Sequence, residues 1–192
     1  MSLVKAWAYE KLRCFFAQKI HEERMVALLI LIEKFKRAHS EVEKGKIVKF
    51  YLDNLRWVNN WDLVDLSAPN ILGSFLTEKN GMGRKRSLQL LRLARSKSVW
   101  MRRVAIVSTL QFIRRNEFED TLQIAEVLVQ DDHDLICKAV GWMLREIGKR
   151  DIAVEESFLL KYYQTVPRIM LRYAIEKFPE EKRQRYFRKN KS

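Results

Sequence analysis

Proline and glycine are scarce, three and six residues in 192, and no segment shows the strict alternation of a half-buried strand. The sequence therefore reads as helices joined by short turns rather than as a sandwich or barrel. Cysteine is scarcer still. Cys14 and Cys137 sit in apolar helical patterns without a partner at CxxC or metal-ligand spacing, which excludes a disulfide framework and points to a reducing compartment. No apolar run approaches the ~18–20 residues that a membrane span needs, and the start shows no signal-peptide pattern. The expected location is the cytoplasm, with no membrane contact.

Acid is also missing where it counts. From Lys79 to Arg115 there are eleven basic residues and no Asp or Glu, whereas Asn116 to Leu160 holds eleven acids and four basic residues. Lys and Arg total 37 against 24 acids, a net charge of +13. Such a balance favours a polyanion over an acidic metabolite as partner, and the positive potential is concentrated locally. The run 183–192 reads as a basic C-terminal tail, a feature that more often means solvation than binding.

What is present in quantity is helical apolar spacing, in a chain long enough for a sizeable core and short enough that 1–192 reads as one domain. Met25 to Ile32 is apolar on nearly every side, which predicts a helix covered by neighbours. The pattern also repeats. Trp100-Met-Arg-Arg103-Val-Ala aligns with Leu135-Ile-Cys-Lys138-Ala-Val and with Ile169-Met-Leu-Arg172-Tyr-Ala, 35 and 34 residues apart. Each opens an apolar helix, and each follows another helix, predicted over 86–97, 119–129 and 154–163. The unit is a helix pair of HEAT-repeat size, so the fold class is all-α, a right-handed α-solenoid or superhelix of HEAT-like antiparallel helix pairs. The second helices would line a concave face. Breaks are expected at Asn59-Asn60, over the glycine-containing loop Thr77–Arg84, at Asp131–Asp134 and at Pro167; none resembles a domain linker.

Asn59-Asn60-Trp61-Asp62-Leu63-Val64-Asp65-Leu66 carries the densest chemistry. An asparagine cap opens a helix, and Asp62 in its first turn suits the helix dipole. Asp65 has no such role; one turn beyond Trp61, it shares that residue's face. Taken alone it is an exposed helical acid, a salt-bridge partner or a functional carboxylate. Spacing brings in two more residues: Asp65 to Arg103 is 38 positions and Arg103 to Trp142 is 39, about one repeat each, so neighbouring repeats would place the three side by side. Arg103 as a plain ion-pair partner and Trp142 as core filler are the competing readings. Phosphate contacts are expected from Arg84, Lys85, Arg86, Lys97, Arg102 and Lys138, with Arg145 in addition; roughly half of them would be solvated surface side chains.

Asn60-Trp61-Asp62-Leu63-Val64-Asp65, Trp100 to Ala105 and Lys138-Ala-Val-Gly-Trp142-Met-Leu-Arg145-Glu146, with the earlier His21-Glu22-Glu23-Arg24, resemble in order the signatures of the AlkD-like alkylpurine DNA glycosylases, the DNA alkylation repair family. The resemblance spans about residues 19 to 178. It implies a HEAT-like superhelix cradling double-stranded, alkylated DNA, with Asp65 as the catalytic acid, Trp61 and Trp142 flanking the lesion-bearing nucleotide, and Arg103 touching DNA beside the acid. It further implies action on cationic N3- or N7-alkylated purines as a monomer, with no metal and no cofactor. Family members generally carry further helices ahead of the His-Glu-Glu-Arg region, one of which brings an aromatic side chain to the lesion. Here Trp7 or Tyr9 would serve, the alternatives being a naturally short N-terminus or a fragment.

The residue types suit that chemistry on their own terms. Cleaving an N-glycosidic bond builds positive charge on the sugar, which a fixed carboxylate stabilises while it orients water. An alkylated purine is already cationic and leaves without prior protonation, so one acid suffices. Other constellations fall short: His21-Glu22-Glu23-Arg24 lacks the second histidine of a zinc site, Asp131-Asp132-His133-Asp134 reads as an acidic turn, and Gly81-Met82-Gly83-Arg84-Lys85 lacks Walker spacing. Two further functions remain open, a non-catalytic module of the same fold for distorted or branched DNA, and a protein-interaction scaffold.

Overall fold

The computed structural model describes residues 9–78 and 83–189, with the side chains of 83–86 and 189 outside the description. Within these residues every regular element is helical: α1 Tyr9–Phe16, α2 His21–Arg37, α3 Glu41–Asp53, α4 Trp61–Ala68, α5 Ser74–Glu78, α6 Gly83–Ala94, α7 Val99–Ser108, α8 Leu110–Arg114, α9 Glu119–Leu128, α10 Asp134–Gly148, α11 Ile152–Tyr162, α12 Arg168–Ala174 and α13 Glu180–Lys189. Among them no helix is long and apolar enough to cross a membrane.

Side chains close several starts. Ser40 accepts from the Glu43 N–H of α3, Asn60 from the Trp61 N–H of α4, His133 from the Leu135 N–H of α10, and Asp151 from Ala153 and Val154 of α11. Each satisfies a donor that the helix itself leaves open. Pro69 follows α4 directly. Lacking an N–H, it cannot continue the ordinary ladder, and the chain widens into a π turn over Pro69–Gly73 before α5 resumes.

The second helices of the expected pairs form one row. α4 packs on α7, α7 on α10 and α10 on α12, while α6, α9 and α11 lie as the outer members beside them. Val104 to Val107 on α7, and Ala139, Val140, Met143 and Leu144 on α10, are buried, because each inner helix has a neighbour on both sides. Glycines set two of the spacings. A Cβ at Gly73 would stand 2.3 Å from the Ser108 carbonyl oxygen, and one at Gly141 would stand 2.5 Å from the Met170 carbonyl oxygen and 2.6 Å from the Tyr173 Cβ. Those backbone approaches exist only because no side chain intervenes.

Three expectations are corrected. The loop foreseen over Thr77–Arg84 is narrower than expected at both ends, where Thr77 and Glu78 finish α5 and Gly83 and Arg84 begin α6, while 79–82 lie outside the described residues. The basic run 183–192 is no tail as far as Lys189. It forms most of α13, held by buried Tyr186 edge-on to Phe178, by Phe187 under Arg168, and by Lys182 paired with Glu156. Aromatic anchors decide this, and the charge merely coats the outer side. Finally, α2 is not covered all round. Ala27, Leu28, Leu31 and Ile32 are buried against α1, α3 and α4, but Val26 and Leu29 are 43% and 48% exposed, since these three neighbours leave one stripe of the helix uncovered.

Candidate active site

The candidate site is built across four successive inner helices. Trp61 is the first residue of α4, set there by the Asn60 cap, and its indole is 54% exposed. One turn later Asp65 projects from the same face. From α7, Arg103 reaches over it: Nε donates to one carboxylate oxygen at 2.9 Å and Nη2 to the other at 2.7 Å. Its Nη1 donates to the Leu135 carbonyl oxygen at the start of α10. The guanidinium is thus fixed between three helices, 6% exposed, in the bidentate geometry that only arginine supplies. The Asp65 side chain keeps 20% of its surface. A carboxylate has about four lone-pair positions and the fork takes two, which leaves acceptor capacity on a side chain that lines the cavity.

α10 adds a stripe at helical spacing, Lys138, Trp142 and Arg145. The ammonium of Lys138 is 3.7 Å from Asp134, the Trp142 indole N–H donates to Glu146 at 3.2 Å, and Arg145 pairs with Glu176. Tyr173 of α12 closes the far end. Together with Trp61, Asp65 and Arg103, these groups line an open cavity of about 380 Å³. The result is one carboxylate among aromatic rings and cations, a combination suited to holding an anionic strand while stabilising positive charge at one point.

Asp65, Trp61, Arg103, Trp142, Lys138 and Arg145 therefore line one cleft, which the repeat spacing foresaw for Asp65, Arg103 and Trp142 and the helical spacing for Trp61. Arg102 does not line it. Its guanidinium bonds Asp131 at 2.6 and 3.2 Å and the Ser96 and Lys97 carbonyl oxygens at 3.2 and 3.1 Å, tying the turn before α7 to the turn before α10. Lys97 is exposed at that first turn. The side chains of Arg84, Lys85 and Arg86 lie outside the described residues, as does Trp7; Tyr9 packs at a tilt on Phe50, 5.0 Å between centroids.

Three contacts escaped the sequence reading. Tyr173 was visible only as the neighbour of the repeated base Arg172. Asp62, assigned to the helix dipole, also bonds His21 Nε2 at 2.7 Å, and Arg24 donates to Asn59; the first turn of α2 thereby clamps the start of α4. No local pattern announces a pair 41 residues apart. Glu155, 1% exposed and packed over Gly148, also went unnoticed. Burial, reinforced by neighbouring Glu156, pushes its carboxyl up to about 8. Among the described residues no three His, Cys, Asp or Glu side chains gather as a metal site would require.

Comparison with known proteins agrees with this architecture. Residues 5–178 match the family described as DNA alkylation repair enzyme. No curated protein matches the chain. Among solved structures, a predicted DNA alkylation repair enzyme from Enterococcus faecalis is similar over 92% of this chain and 80% of its own, with a TM-score of 0.70 at 18% identity; at that identity the likeness is one of fold.

Proposed function

The chain belongs to the DNA alkylation repair enzyme family, and on that premise we propose that it is a DNA glycosylase hydrolysing the N-glycosidic bond of cationic N3- or N7-alkylated purines in duplex DNA. The observation that carries the reading is the Asp65 carboxylate, oriented by both arms of the Arg103 fork and opening into a cavity walled by Trp61 and Trp142. As the bond to the purine stretches, positive charge develops on the deoxyribose. Asp65, one face turned to that charge, stabilises it and orients the attacking water. The base departs neutral because it began cationic. The indoles add cation–π attraction of ~0.5–2 kcal/mol to the charged sugar or base. Arg103 positions the acid, its Nε and Nη2 on the two carboxylate oxygens and its Nη1 on the Leu135 carbonyl.

Lys138 and Lys97, with Arg84, Lys85, Arg86 and Arg145, supply the sequence-independent phosphate contacts in this reading. Arg102 is left out because all three of its guanidinium nitrogens are held by Asp131 and two carbonyl groups, whereas Arg145 spends only Nη1, on Glu176. The protein would act as a monomer in the cytosol, on the lesion lying against an open surface. Incubation with duplex DNA bearing 7-methylguanine or 3-methyladenine tests this. Free alkylated base released from damaged DNA, with normal purines untouched, is the expected outcome; intact lesions after prolonged incubation refute it.

A second reading, a binding module without catalysis, draws on the same contact: both oxygens of Asp65 already engage Arg103. It predicts tighter binding to branched than to linear duplex DNA in a mobility-shift titration and no base release.

A further inference from the structure

The cleft continues one helix beyond the residues just discussed. Tyr173 lines the same cavity as Asp65 and Trp142, yet it comes from α12, the next inner helix. Its approach is fixed by Gly141. With no Cβ at that position, the Tyr173 Cβ and the Met170 carbonyl come against α10, 2.6 and 2.5 Å from where a Cβ would stand. The glycine thus brings a tyrosine flush with the face that carries Lys138, Trp142 and Arg145.

The donors around it are largely committed. Arg103 is held by Asp65 and the Leu135 carbonyl, the Trp142 indole N–H by Glu146, and one arm of Arg145 by Glu176. The Tyr173 hydroxyl has no protein partner among the described residues. A half-buried ring with an unspent hydroxyl, beside a cavity lined by cations, is a placement that core filling does not need. Arg172, exposed and in the repeat register of Arg103 and Lys138, stands next to it in sequence.

We propose that Tyr173 is a DNA-contacting residue that lengthens the site along one strand: its ring lies against a deoxyribose next to the lesion, and its hydroxyl donates to a phosphate oxygen. The inference rests on the reading of this cleft as a DNA site, although not on base release. A phenolic O–H supplies one neutral hydrogen bond, so it adds affinity without adding a released counterion. Gly141 and Tyr173 act together, the first setting the distance and the second making the contact.

Fluorescence anisotropy on a labelled duplex containing 7-methylguanine, repeated at several salt concentrations, tests this with the full chain. Tyr173→Phe should weaken binding by about threefold to tenfold, the range of one neutral hydrogen bond, with the salt slope and the melting temperature unchanged. Tyr173→Ala should weaken it further. If release occurs, Tyr173→Phe should raise KM and leave kcat within about twofold. A tyrosine that only fills space predicts parent-like binding by Tyr173→Phe, and that result overturns the proposal whatever the alanine variant does. Loss of affinity in the variants with no release by the parent would keep the contact and refute the glycosylase reading. Release by the parent with unchanged Tyr173→Phe binding would do the reverse. A parent that fails to bind duplex DNA refutes both.

Discussion

Asp65 and Arg103 are a pair in which each side chain is explained by the other. Arg103, nearly buried, has two arms on the carboxylate and one on a carbonyl of the next helix. Arg103→Lys keeps the charge and loses the fork. The expected outcome is a fall in the single-turnover rate of base release of at least about tenfold, at a melting temperature within a few degrees of the parent. Arg103→Ala strands the acid, and chemical denaturation should show a loss of about 1–3 kcal/mol, below the value for a fully buried pair because Asp65 keeps partial exposure. Glu155 predicts something different. Its carboxyl titrates at about 8 when folded and near its ordinary value when unfolded, so unfolding releases a proton between those limits. Its contribution to stability is fully present below about pH 4.5 and lost as pH rises through 8, a span worth ~5 kcal/mol. Denaturation midpoints across pH 5–9 should fall for the parent and flatten for Glu155→Gln; equal slopes in the two proteins would refute the assignment.

At the scale of elements, glycine and proline decide where helices meet. Gly141→Ala places a methyl group within 2.6 Å of α12, and the overpacking should cost about 1–3 kcal/mol in denaturant titration while weakening DNA binding as well. An unchanged midpoint would mean that the α10–α12 contact is looser than described. These contacts also mark the limit of what the sequence discloses. Repeats of 35 and 34 residues sufficed to place Arg103, Lys138 and Arg172 in one register, because each layer repeats the same burial requirement. The repeat spacing likewise brought Asp65 to Arg103. What stayed hidden depends on distance without period: His21 on Asp62, Arg102 on Asp131, Glu155 over Gly148. Composition misled at the C-terminus, where Tyr186 and Phe187, two residues in a charged run, turn a presumed tail into a docked helix.

For the whole molecule, the governing quantity is a net charge of +13 distributed unevenly along the chain. Duplex affinity should fall steeply and linearly on a double-logarithmic plot against salt. Lys138→Ala should reduce that slope by about one unit and weaken all sequences alike; an unchanged slope would place Lys138 off the strand. In the proposed function the stack of helices supplies the surface, and Asp65 supplies the reaction. The most direct measurement is therefore the single-turnover release of 7-methylguanine from duplex DNA by the parent and by Asp65→Asn, an isosteric change that removes the negative charge. The account predicts a rate at least ~100-fold lower for Asp65→Asn at comparable DNA affinity. Equal rates for the two proteins would contradict it.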